Sequence, residues 1–435
     1  MEQSPSLEAF VADARRWLDD HAERRVETER EADWGAGEFS VSVFHALSAD
    51  DEQAVVERAQ AWTMAKAEAG YHAIAWPAEY GGLGLPGSFA RAFGRLEREY
   101  VTPTGHEVHS VTTRLIAPTI HALGNDEQKA SLVPRFLAAR EMCCQLFSEP
   151  GAGSDLAALG CRAVRVGDEW IVNGQKVWSS GAQFSTWGEL IARSDPDAPK
   201  HRGMTAFVIP LNLPGIEIRP IKQMSGGSSF NEVFFTDVRV PAANVIGEVH
   251  DGWRLAKVTL GNERVSLSGE GALWGRGPTA GDLVRIVREH GGVTDPVLRQ
   301  RIARVHIEGE VLRYIRMRSV AAVLRGLEPG PEASVRKALA DEHGHHHCGG
   351  CRPENTDQHH AGLANPQYSQ HHEWPDPVKL LFNTERPRVG QDRWCDRSVE
   401  VRRFQANQVP IGKIQDCRQR IPSEKRKVGR RKEKF

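Results

Sequence analysis

The first 140 residues place apolar side chains three or four positions apart, which is the spacing of one face of an α-helix. The clearest series consists of Leu7, Phe10, Val11, Ala14 and Leu18. The same period predicts further helices over Asp50 to Glu68, Ser88 to Tyr100 and Asn125 to Arg140. The glycines and prolines of residues 76–86 would interrupt any helix there. The economical interpretation is an all-helical first domain over residues 1–147.

After Cys144 the pattern changes to short segments in which apolar and polar residues alternate, as in half-buried β-strands. Residues 161–166 and 170–172 are two such segments joined by a turn, and Asn173-Gly174 has the composition of a second, two-residue hairpin turn. Further predicted strands are Thr205 to Leu211, Ile216 to Pro220 and Asn231 to Val240. Short strands separated by turns favour an antiparallel barrel or sandwich. The helical period returns from Trp253.

Composition narrows the class of protein. The chain has 435 residues, 40% of them hydrophobic, so it is long enough for two or three domains and too apolar for whole-chain disorder. No stretch reaches the roughly 18 uninterrupted apolar residues of a membrane-spanning helix, and the acidic N-terminus does not resemble a signal peptide. Seven cysteines do not form a disulfide framework. We therefore expect a cytoplasmic protein that does not bind membranes.

The chain has 56 Lys and Arg and 57 Asp and Glu, but these charges are unevenly distributed along it. Residues 386–435 contain 16 Lys and Arg but 6 Asp and Glu, and 8 of the 18 histidines fall between His343 and His372. The chain therefore changes character near residue 344, and its two parts need separate interpretations.

A glycine-rich turn follows the first predicted domain. It runs from Cys144 through Ser148-Glu149-Pro150 to the sequence Gly-Ala-Gly-Ser-Asp at residues 151–155. Small residues let the backbone approach a phosphate closely and direct amide N–H groups at it. The glycine spacing is not that of a dinucleotide-binding fingerprint, and no βαβ unit surrounds it. Taken alone, the turn is more typical of an ordinary connection between a helix and a strand.

About thirty residues further on, Trp178 is followed by two hydroxyl residues, Ser179 and Ser180, at the end of a predicted strand. An indole and hydroxyl groups in this arrangement can stack on a planar ring and hydrogen-bond to it. A single tryptophan is more often part of a core. Two such segments inside a β domain that lies between helical domains favour a site for a planar cofactor.

These motifs resemble those of the acyl-CoA dehydrogenase family of flavoenzymes over residues 1 to about 344. Five stretches, in the order found in that family, carry the resemblance: Trp76 to Pro86, Gln145 to Asp155, Val172 to Gly181, Phe230 to Pro241 and Gly252 to Arg264. Together with the order of predicted elements, the resemblance implies an α+β fold. Its parts would be an N-terminal helical domain (1–147), a middle antiparallel β-barrel domain (148–248) and an incomplete C-terminal helical bundle (249–344), followed by a divergent tail (345–435).

The resemblance implies an FAD cofactor and the α,β-dehydrogenation of an acyl-CoA thioester. Electrons would pass to an electron-transferring flavoprotein, and the chain would form homo-oligomers or pair with a homologue. An organic cofactor is needed because amino-acid side chains do not accept hydride. The residues implied to contact FAD are Gln145, Phe147 and Ser148 at the flavin ring, Gly153 and Ser154 at the pyrophosphate, and Trp178, Ser179 and Ser180 beside the isoalloxazine.

The family takes the base that removes the α-proton from one of two places. One is a loop in the last helical domain, and the other is the helix that here contains Gly-Asn-Glu-Arg at residues 261–264. In the second group a glutamate directly precedes an arginine, as Glu263 precedes Arg264 here. A partly desolvated carboxylate would have a raised pKa suited to accepting a proton. Glu263 is thus the candidate catalytic base and Arg264 a structural or orienting residue, the alternative being a solvated Glu-Arg pair.

The remaining acids and histidines before residue 344 are expected to be structural. Glu149 would hold the glycine-rich turn. His106, His109 and His121 lie in a helical region without the spacing of metal ligands, so no metal site is predicted there.

The family pattern is absent after about His343, and three explanations stay open. A reading-frame change in the gene accounts for the abrupt boundary and the new composition, and is favoured. The second explanation is a zinc site, whose candidate ligands are His345, His347, Cys348 and Cys351. The third is nucleic-acid binding through the basic runs at residues 425–427 and 430–432, although no series of aromatic residues accompanies them.

A frame change would have a functional cost, because it would remove part of the last helical bundle. It predicts weak FAD binding and low activity, and leaves Glu263 as the remaining candidate base. Two other functions stay open: a non-catalytic subunit that pairs with an active homologue, and a metal- or nucleic-acid-binding protein that acts through residues 345–435.

Overall fold

Among the described residues before residue 138, the regular elements are helices. In the computed structural model, the described residues are 5–25, 47–103, 105–223, 227–267, 279–289, 291–324 and 332–349. The first helices are α1 (Leu7–His21), α2 (Ala49–Glu68), α3 (Gly87–Glu97), α4 (Glu107–Ser110), a π-helical turn (Val111–Ile116), α5 (Ala117–Leu123) and α6 (Asp126–Leu137). The Asn125 side chain accepts from the Gln128 backbone N–H, and the Gln128 side chain accepts from Asn125 N–H, which satisfies two donors at the start of α6. The helical character predicted for this region is confirmed.

A seven-stranded sheet follows. Its strands are β1 (Cys143–Leu146), β2 (Arg162–Val166), β3 (Glu169–Lys176), β4 (Trp187–Arg193), β5 (Met204–Pro210), β6 (Ile216–Ile221) and β7 (Phe230–Pro241). They are arranged in the order β1-β4-β2-β3-β7-β6, with β5 on β4. The middle domain is therefore a sheet, as its alternating pattern predicted.

The sheet is mixed rather than antiparallel. β1 pairs with β4 in parallel, with Cys143 opposite Trp187, and β2 meets β4 in parallel where Arg162 lies opposite Arg193. The pairs β2–β3, β3–β7, β4–β5 and β6–β7 are antiparallel. The antiparallel prediction was wrong for the pairs that β4 makes with β1 and β2. The all-helical prediction for residues 1–147 was wrong at its end, where β1 follows α6 with no hairpin to fix the direction of the strand. Closure of the sheet into a barrel stays a prediction.

The hairpin turn predicted at Asn173-Gly174 was wrong, because both residues lie inside β3. The chain reverses at Gly167, which has φ of +62°, in the turn predicted between residues 166 and 170. Asn173 exchanges hydrogen bonds of 2.9 and 3.0 Å with Asp237 of β7, at the point where the register of the two strands shifts. Gly174 has φ of +150°, and a Cβ there would lie 2.7 Å from Cys161 Cα. The two residues thus form a β-bulge.

Strands β1 and β4 are buried on both faces. Cys143 and Ile191 pack on one face against the helices, whereas Cys144 and Leu190 pack on the other, inside the curled sheet. A strand buried on both faces has no polar side, so a charged residue within it must lie in apolar surroundings. Glu189 of β4 occupies such a position and is fully buried.

Helices return after the sheet, as predicted. They are α7 (Gly252–Leu267), α8 (Ala280–Glu289), α9 (Pro296–Leu324) and α10 (Glu332–Gly349). α7 contacts α5, α10, β4 and β5. α10 continues through residue 344 to Gly349, so the change in composition there does not coincide with the end of a helix. Cys351 and the basic runs lie outside the described residues, and so do the side chains of His345, His347 and Cys348.

None of the helices in the described ranges combines the length and the apolar character of a membrane span.

Candidate functional site

One backbone hydrogen bond joins the two predicted flavin segments. Val177, which follows β3, donates from its N–H to the carbonyl oxygen of Ser148, which follows β1, at 2.9 Å. Phe147 is part of the same junction, since its carbonyl accepts a 2.9 Å hydrogen bond from Lys176 Nζ. The structure therefore brings together Phe147, Ser148 and the stretch beginning at Trp178, which lie some thirty residues apart in sequence.

Glu149 holds the glycine-rich turn, as predicted. Its carboxylate accepts hydrogen bonds from the backbone N–H groups of Gly160 at 2.6 Å and Cys161 at 3.0 Å. Lys176 Nζ lies 2.8 Å from the same carboxylate, and the lysine side chain is completely buried. An ion pair with its remaining hydrogen-bonding capacity satisfied is the arrangement that lets charges remain inside a protein. Lys176 had no assigned role, because lysine at the end of a strand is usually solvated.

The turn itself is tight and open to solvent. Glu149 and Ala152 exchange two backbone hydrogen bonds of 3.0 Å, which close the loop around Pro150 and Gly151. Gly153 and Ser154 are exposed. A Cβ added at Gly153 would meet no atom of the described residues within 4 Å. The turn thus leaves room for a ligand to approach its backbone closely.

Trp178 has an unusual backbone conformation. Its φ is +60°, in the left-handed region that bulky residues rarely adopt, and its side chain is 59% exposed. The indole meets Phe230 edge to face, with ring centroids 5.7 Å apart. Strained backbone of this kind persists where surrounding structure enforces it, and it clusters at ligand sites. The strain therefore supports a ligand-contacting role for the indole.

Strand β7 enforces that conformation. Ser179 N–H donates to Asn231 O at 3.1 Å, and Asn231 Nδ2 donates back to Ser179 O at 3.0 Å. Ser179 is 1% exposed and its Oγ has no hydrogen-bond partner among the described residues, so its hydroxyl is buried rather than on an open surface. Gln145 is half-buried, and its Nε2 is also buried without a hydrogen-bond partner among the described residues.

The hydroxyl groups around the turn and the indole fit a flavin nucleotide. Ser148 and Ser180 are half-buried and Ser154 is exposed. In the described part of the chain, their side-chain oxygens make no hydrogen bond, so they are available to a ligand. Unengaged hydroxyl donors beside an exposed indole and an uncrowded glycine turn match a ligand with a planar ring and phosphates.

Glu263 lies on α7 and is partly buried. Burial raises the pKa of its carboxyl, while the positive charges of Lys337 on α10 and of neighbouring Arg264 lower the same pKa by smaller amounts. Arg264 is exposed. No hydrogen bond within the described residues links Glu263 to the turn or to Trp178. The raised pKa is what a proton-abstracting carboxylate requires.

The described histidine side chains, all at or before residue 343, form no metal centre. His106 is buried and contacts Glu52 through Nε2 at 3.1 Å, and burial lowers the pKa of His109 to about 4. Across those ranges, no group of three His, Cys, Asp or Glu side chains is arranged to hold an ion.

Three family models match consecutive parts of the chain: the N-terminal domain of acyl-CoA dehydrogenases over residues 39–140, the middle domain over 144–238 and the C-terminal domain over 250–351. The chain belongs to the acyl-CoA dehydrogenase family, whose members use FAD and act on acyl-CoA. The match extends beyond residue 344, where the resemblance was expected to end.

Curated relatives agree with this assignment. The chain is 37% identical to acyl-CoA dehydrogenase IpdE1 of Mycobacterium tuberculosis over 300 residues, covering 68% of this chain and 73% of that protein. It is 39% identical over 276 residues to acyl-CoA dehydrogenase FadE34 of the same organism, covering 63% of this chain. That match spans 38% of the length of FadE34.

Solved structures share the fold. The Tcur3481-Tcur3483 steroid ACAD has a TM-score of 0.59 and 26% identity, with 86% of this chain and 88% of that chain covered. The ChsE4-ChsE5 complex from Mycobacterium tuberculosis has a TM-score of 0.56 and 29% identity, with 79% and 82% covered.

Proposed function

We propose that this chain is an FAD-dependent acyl-CoA dehydrogenase that catalyses the α,β-dehydrogenation of an acyl-CoA thioester. The observation that carries the proposal is the 2.9 Å hydrogen bond from Val177 N to Ser148 O. It joins the glycine-rich turn to Trp178, so that an exposed indole, unengaged hydroxyls and an open turn lie on connected segments. Family membership supplies the reaction class.

The residues that would hold FAD follow from this junction. Backbone near Gln145 and Phe147 and the Ser148 hydroxyl would contact the flavin ring, and Gly153 and Ser154 would lie by the pyrophosphate. Trp178 and Ser180 would flank the isoalloxazine, with buried Ser179 between them in sequence. The proposed FAD contacts come from two proposed domains, 1–147 and 148–248. The third proposed domain, 249–344, begins with α7.

Glu263 is proposed as the catalytic base and Arg264 as an orienting residue. When bound, FAD would accept the β-hydrogen of the substrate as hydride. Glu263 would take the α-proton onto its carboxylate, for which its raised pKa is suited. The positive charges of Lys337 and Arg264 oppose this rise in pKa and so favour the ionised form that accepts a proton.

The electron acceptor is proposed to be an electron-transferring flavoprotein. A second chain is proposed to complete the enzyme, as a copy of this chain or as a homologue. The names of the two structural neighbours, each joining two proteins, support the homologue. Residues 352–435 lie beyond all three matched regions, so we expect weak FAD retention by this chain alone.

The acyl group is proposed to carry a fused ring system. This proposal rests on the name of one neighbour, a steroid ACAD. A CoA thioester of a steroid carboxylic acid should then reduce bound flavin faster than octanoyl-CoA does. Equal or reversed rates would contradict the proposal of a fused-ring acyl group but would not affect the proposed reaction class.

The base assignment can be tested with Glu263→Gln. The purified variant, incubated with excess FAD and desalted, should retain as much flavin as the parent but should not be reduced by acyl-CoA under anaerobic conditions. Glu289→Gln on α8 serves as the matched control, because Glu289 is exposed and pairs with Arg285 away from the turn. Reduction of Glu263→Gln at the parental rate would mean that the base lies elsewhere.

A further inference from the structure

A chain of buried polar side chains connects the sheet to the helix that carries Glu263. Thr259 of α7 donates from Oγ1 to Glu189 Oε1 at 3.1 Å. The hydroxyls of Thr259 and Thr119 of α5 lie 3.0 Å apart. Asn262 of α7 donates from Nδ2 to Thr119 Oγ1 at 3.2 Å. We call this set the buried polar network, and its members are Glu189, Thr259, Thr119 and Asn262.

The network lies in the core rather than on the surface. Glu189, Thr259 and Thr119 are each 0% exposed. Burying such groups is costly unless they are hydrogen-bonded, and apolar residues of the same shape would serve packing equally well. Hydrogen bonds fix both distance and angle, so a polar chain here sets the orientation of α7 relative to the sheet and α5, which apolar contacts do not.

At the end opposite to Glu189, the network is hydrogen-bonded to the π-helical turn. Leu115 lies in this turn, and its carbonyl oxygen accepts from Thr119 Oγ1 at 2.8 Å and from Asn262 Nδ2 at 3.2 Å. A π-turn shifts the backbone hydrogen-bond pattern of a helix and recurs at functional sites. The side chain of Asn262 thus ties α7 to the irregular turn between α4 and α5.

Both α7 members of the network are neighbours of Glu263. Thr259 precedes Glu263 by four residues, so their side chains lie on the same side of α7 one turn apart. Asn262 directly precedes Glu263. Because Thr259 and Asn262 are both hydrogen-bonded to other elements, α7 has little freedom to rotate or slide at the turn that carries Glu263. The position of the Glu263 carboxylate is then set from β4, α5 and the π-turn together.

We propose that the buried polar network positions Glu263 for proton abstraction, with Glu189 as its anchor in the sheet. The proposal rests on the proposed function, because it needs Glu263 to be the base. Its members act through Glu263 and are positioning residues.

The surroundings of the anchor favour its neutral, protonated form. Burial raises the pKa of Glu189 to about 8, and the hydrogen bond from Thr259 opposes that rise without cancelling it. Glu189 Oε2 has no hydrogen-bond partner among the described residues, and no positively charged group contributes to the shift. Glutamine has the same shape and no charge, so Glu189→Gln should preserve the network, whereas Glu189→Leu should break it.

The test compares Thr259→Val with Thr259→Ser in FAD-loaded protein. Valine keeps the shape but removes the hydroxyl, while serine keeps the hydroxyl. Anaerobic flavin reduction by acyl-CoA should slow about tenfold or more in Thr259→Val and recover to near the parental rate in Thr259→Ser, because small misplacements of a reacting group cost large factors in rate. The flavin content and the Kd for a non-reducible acyl-CoA analogue should stay within about twofold.

The pH profile gives a readout that a purely structural role would not move. The acidic limb of the reduction rate reports the pKa of Glu263, which faces Lys337 of α10 and Arg264 of its own helix. Thr259→Val should shift this limb and Thr259→Ser should restore it. Thr63→Val on α2 is the control for loss of a threonine hydroxyl outside the network, since Thr63 donates to Ala59 O of its own helix at 2.9 Å.

The outcomes separate the two proposals. If the parent is reduced and Thr259→Val is reduced equally fast with an unshifted pH profile, the positioning role is overturned and the proposed function stands. If Thr259→Val fails to fold, the pair Glu189→Gln and Glu189→Leu decides: equal rates in both overturn the role. A parent that binds FAD but is reduced by no acyl-CoA overturns both proposals.

Discussion

Lys176 and Glu149 form an ion pair with Nζ 2.8 Å from Oε1, although the lysine side chain is completely buried. The pair ties the end of β3 to the glycine-rich turn. Trp178 follows Lys176 by two residues, so the pair sets the position of the turn relative to the indole. The two proposed flavin-contacting segments are thereby held as one unit.

Glu149→Gln should therefore destabilise the protein and weaken FAD binding together. The substitution leaves an uncompensated ammonium group in the interior, which costs about 3–5 kcal/mol when a buried pair loses one partner. Thermal unfolding and FAD titration measure the two effects. Adding Lys176→Met should restore part of the stability because it removes the unpaired charge. Glu169→Gln, which breaks the exposed pair with Arg239, should change stability by about 1 kcal/mol or less.

Trp178→Gly should separate stability from binding. Glycine adopts a φ of +60° without strain, so the melting temperature should stay constant or rise. Loss of the indole should weaken FAD binding about three- to tenfold, the range expected for one aromatic contact. Trp178→Phe keeps a ring and should bind FAD nearly as well as the parent. Unchanged FAD affinity in the glycine variant would rule out a ring contact.

Lys337→Gln should move the pH dependence of flavin reduction. Lys337 lowers the pKa of Glu263, so its removal should raise that pKa and shift the acidic limb to higher pH. Stopped-flow reduction across a pH series measures the shift. Lys257→Gln on α7 is the control, because Lys257 is exposed and does not contribute to the pKa of Glu263. A shift to lower pH in Lys337→Gln would contradict the electrostatic account.

Glu189→Gln should change how stability depends on pH. The folded protein holds the pKa of Glu189 at about 8, above the ordinary value of 4.5, so the fold favours the protonated form. That contribution is complete below about pH 4.5 and is lost as pH rises towards 8. The parent should therefore lose melting temperature between pH 5 and 8 relative to Glu189→Gln. Parallel curves for the two proteins would mean that Glu189 titrates normally.

Elements governed by local periodicity were predictable from the sequence. The helix predicted over Asp50 to Glu68 is α2, and the strand predicted over Thr205 to Leu211 is β5 within one residue at each end. Their apolar patterns are long enough to identify the period, because one face of each element is buried by its neighbours.

Elements governed by long-range contacts were not predictable. Asn173-Gly174 has the composition of a turn, yet Asp237 and Cys161 make it a bulge. The parallel pairing of β1 with β4 depends on how the chain returns from β3. Such features are decided by tertiary packing that a local pattern does not contain.

Some residues of the candidate site were likewise predictable from local sequence, and others were not. The residues around Ser148 and Trp178 could be proposed from the turn and the aromatic-hydroxyl sequence, while Lys176 and Glu189 could not. One signal for Glu189 was present: it is a lone acid in the apolar run Trp187 to Ala192. Its partner Thr259 lies 70 residues away in sequence, so that signal alone did not specify a network.

The most direct test of the central claim is the visible absorption spectrum of the purified chain after incubation with excess FAD and desalting, recorded before and after anaerobic addition of acyl-CoA. The account predicts a flavin band below one FAD per chain, because this chain alone should retain FAD weakly. That band should bleach when the acyl-CoA is added, since the turn and Trp178 would bind the cofactor and Glu263 would start its reduction. A bound flavin band that no acyl-CoA bleaches, straight-chain or steroid, would contradict the proposed dehydrogenation.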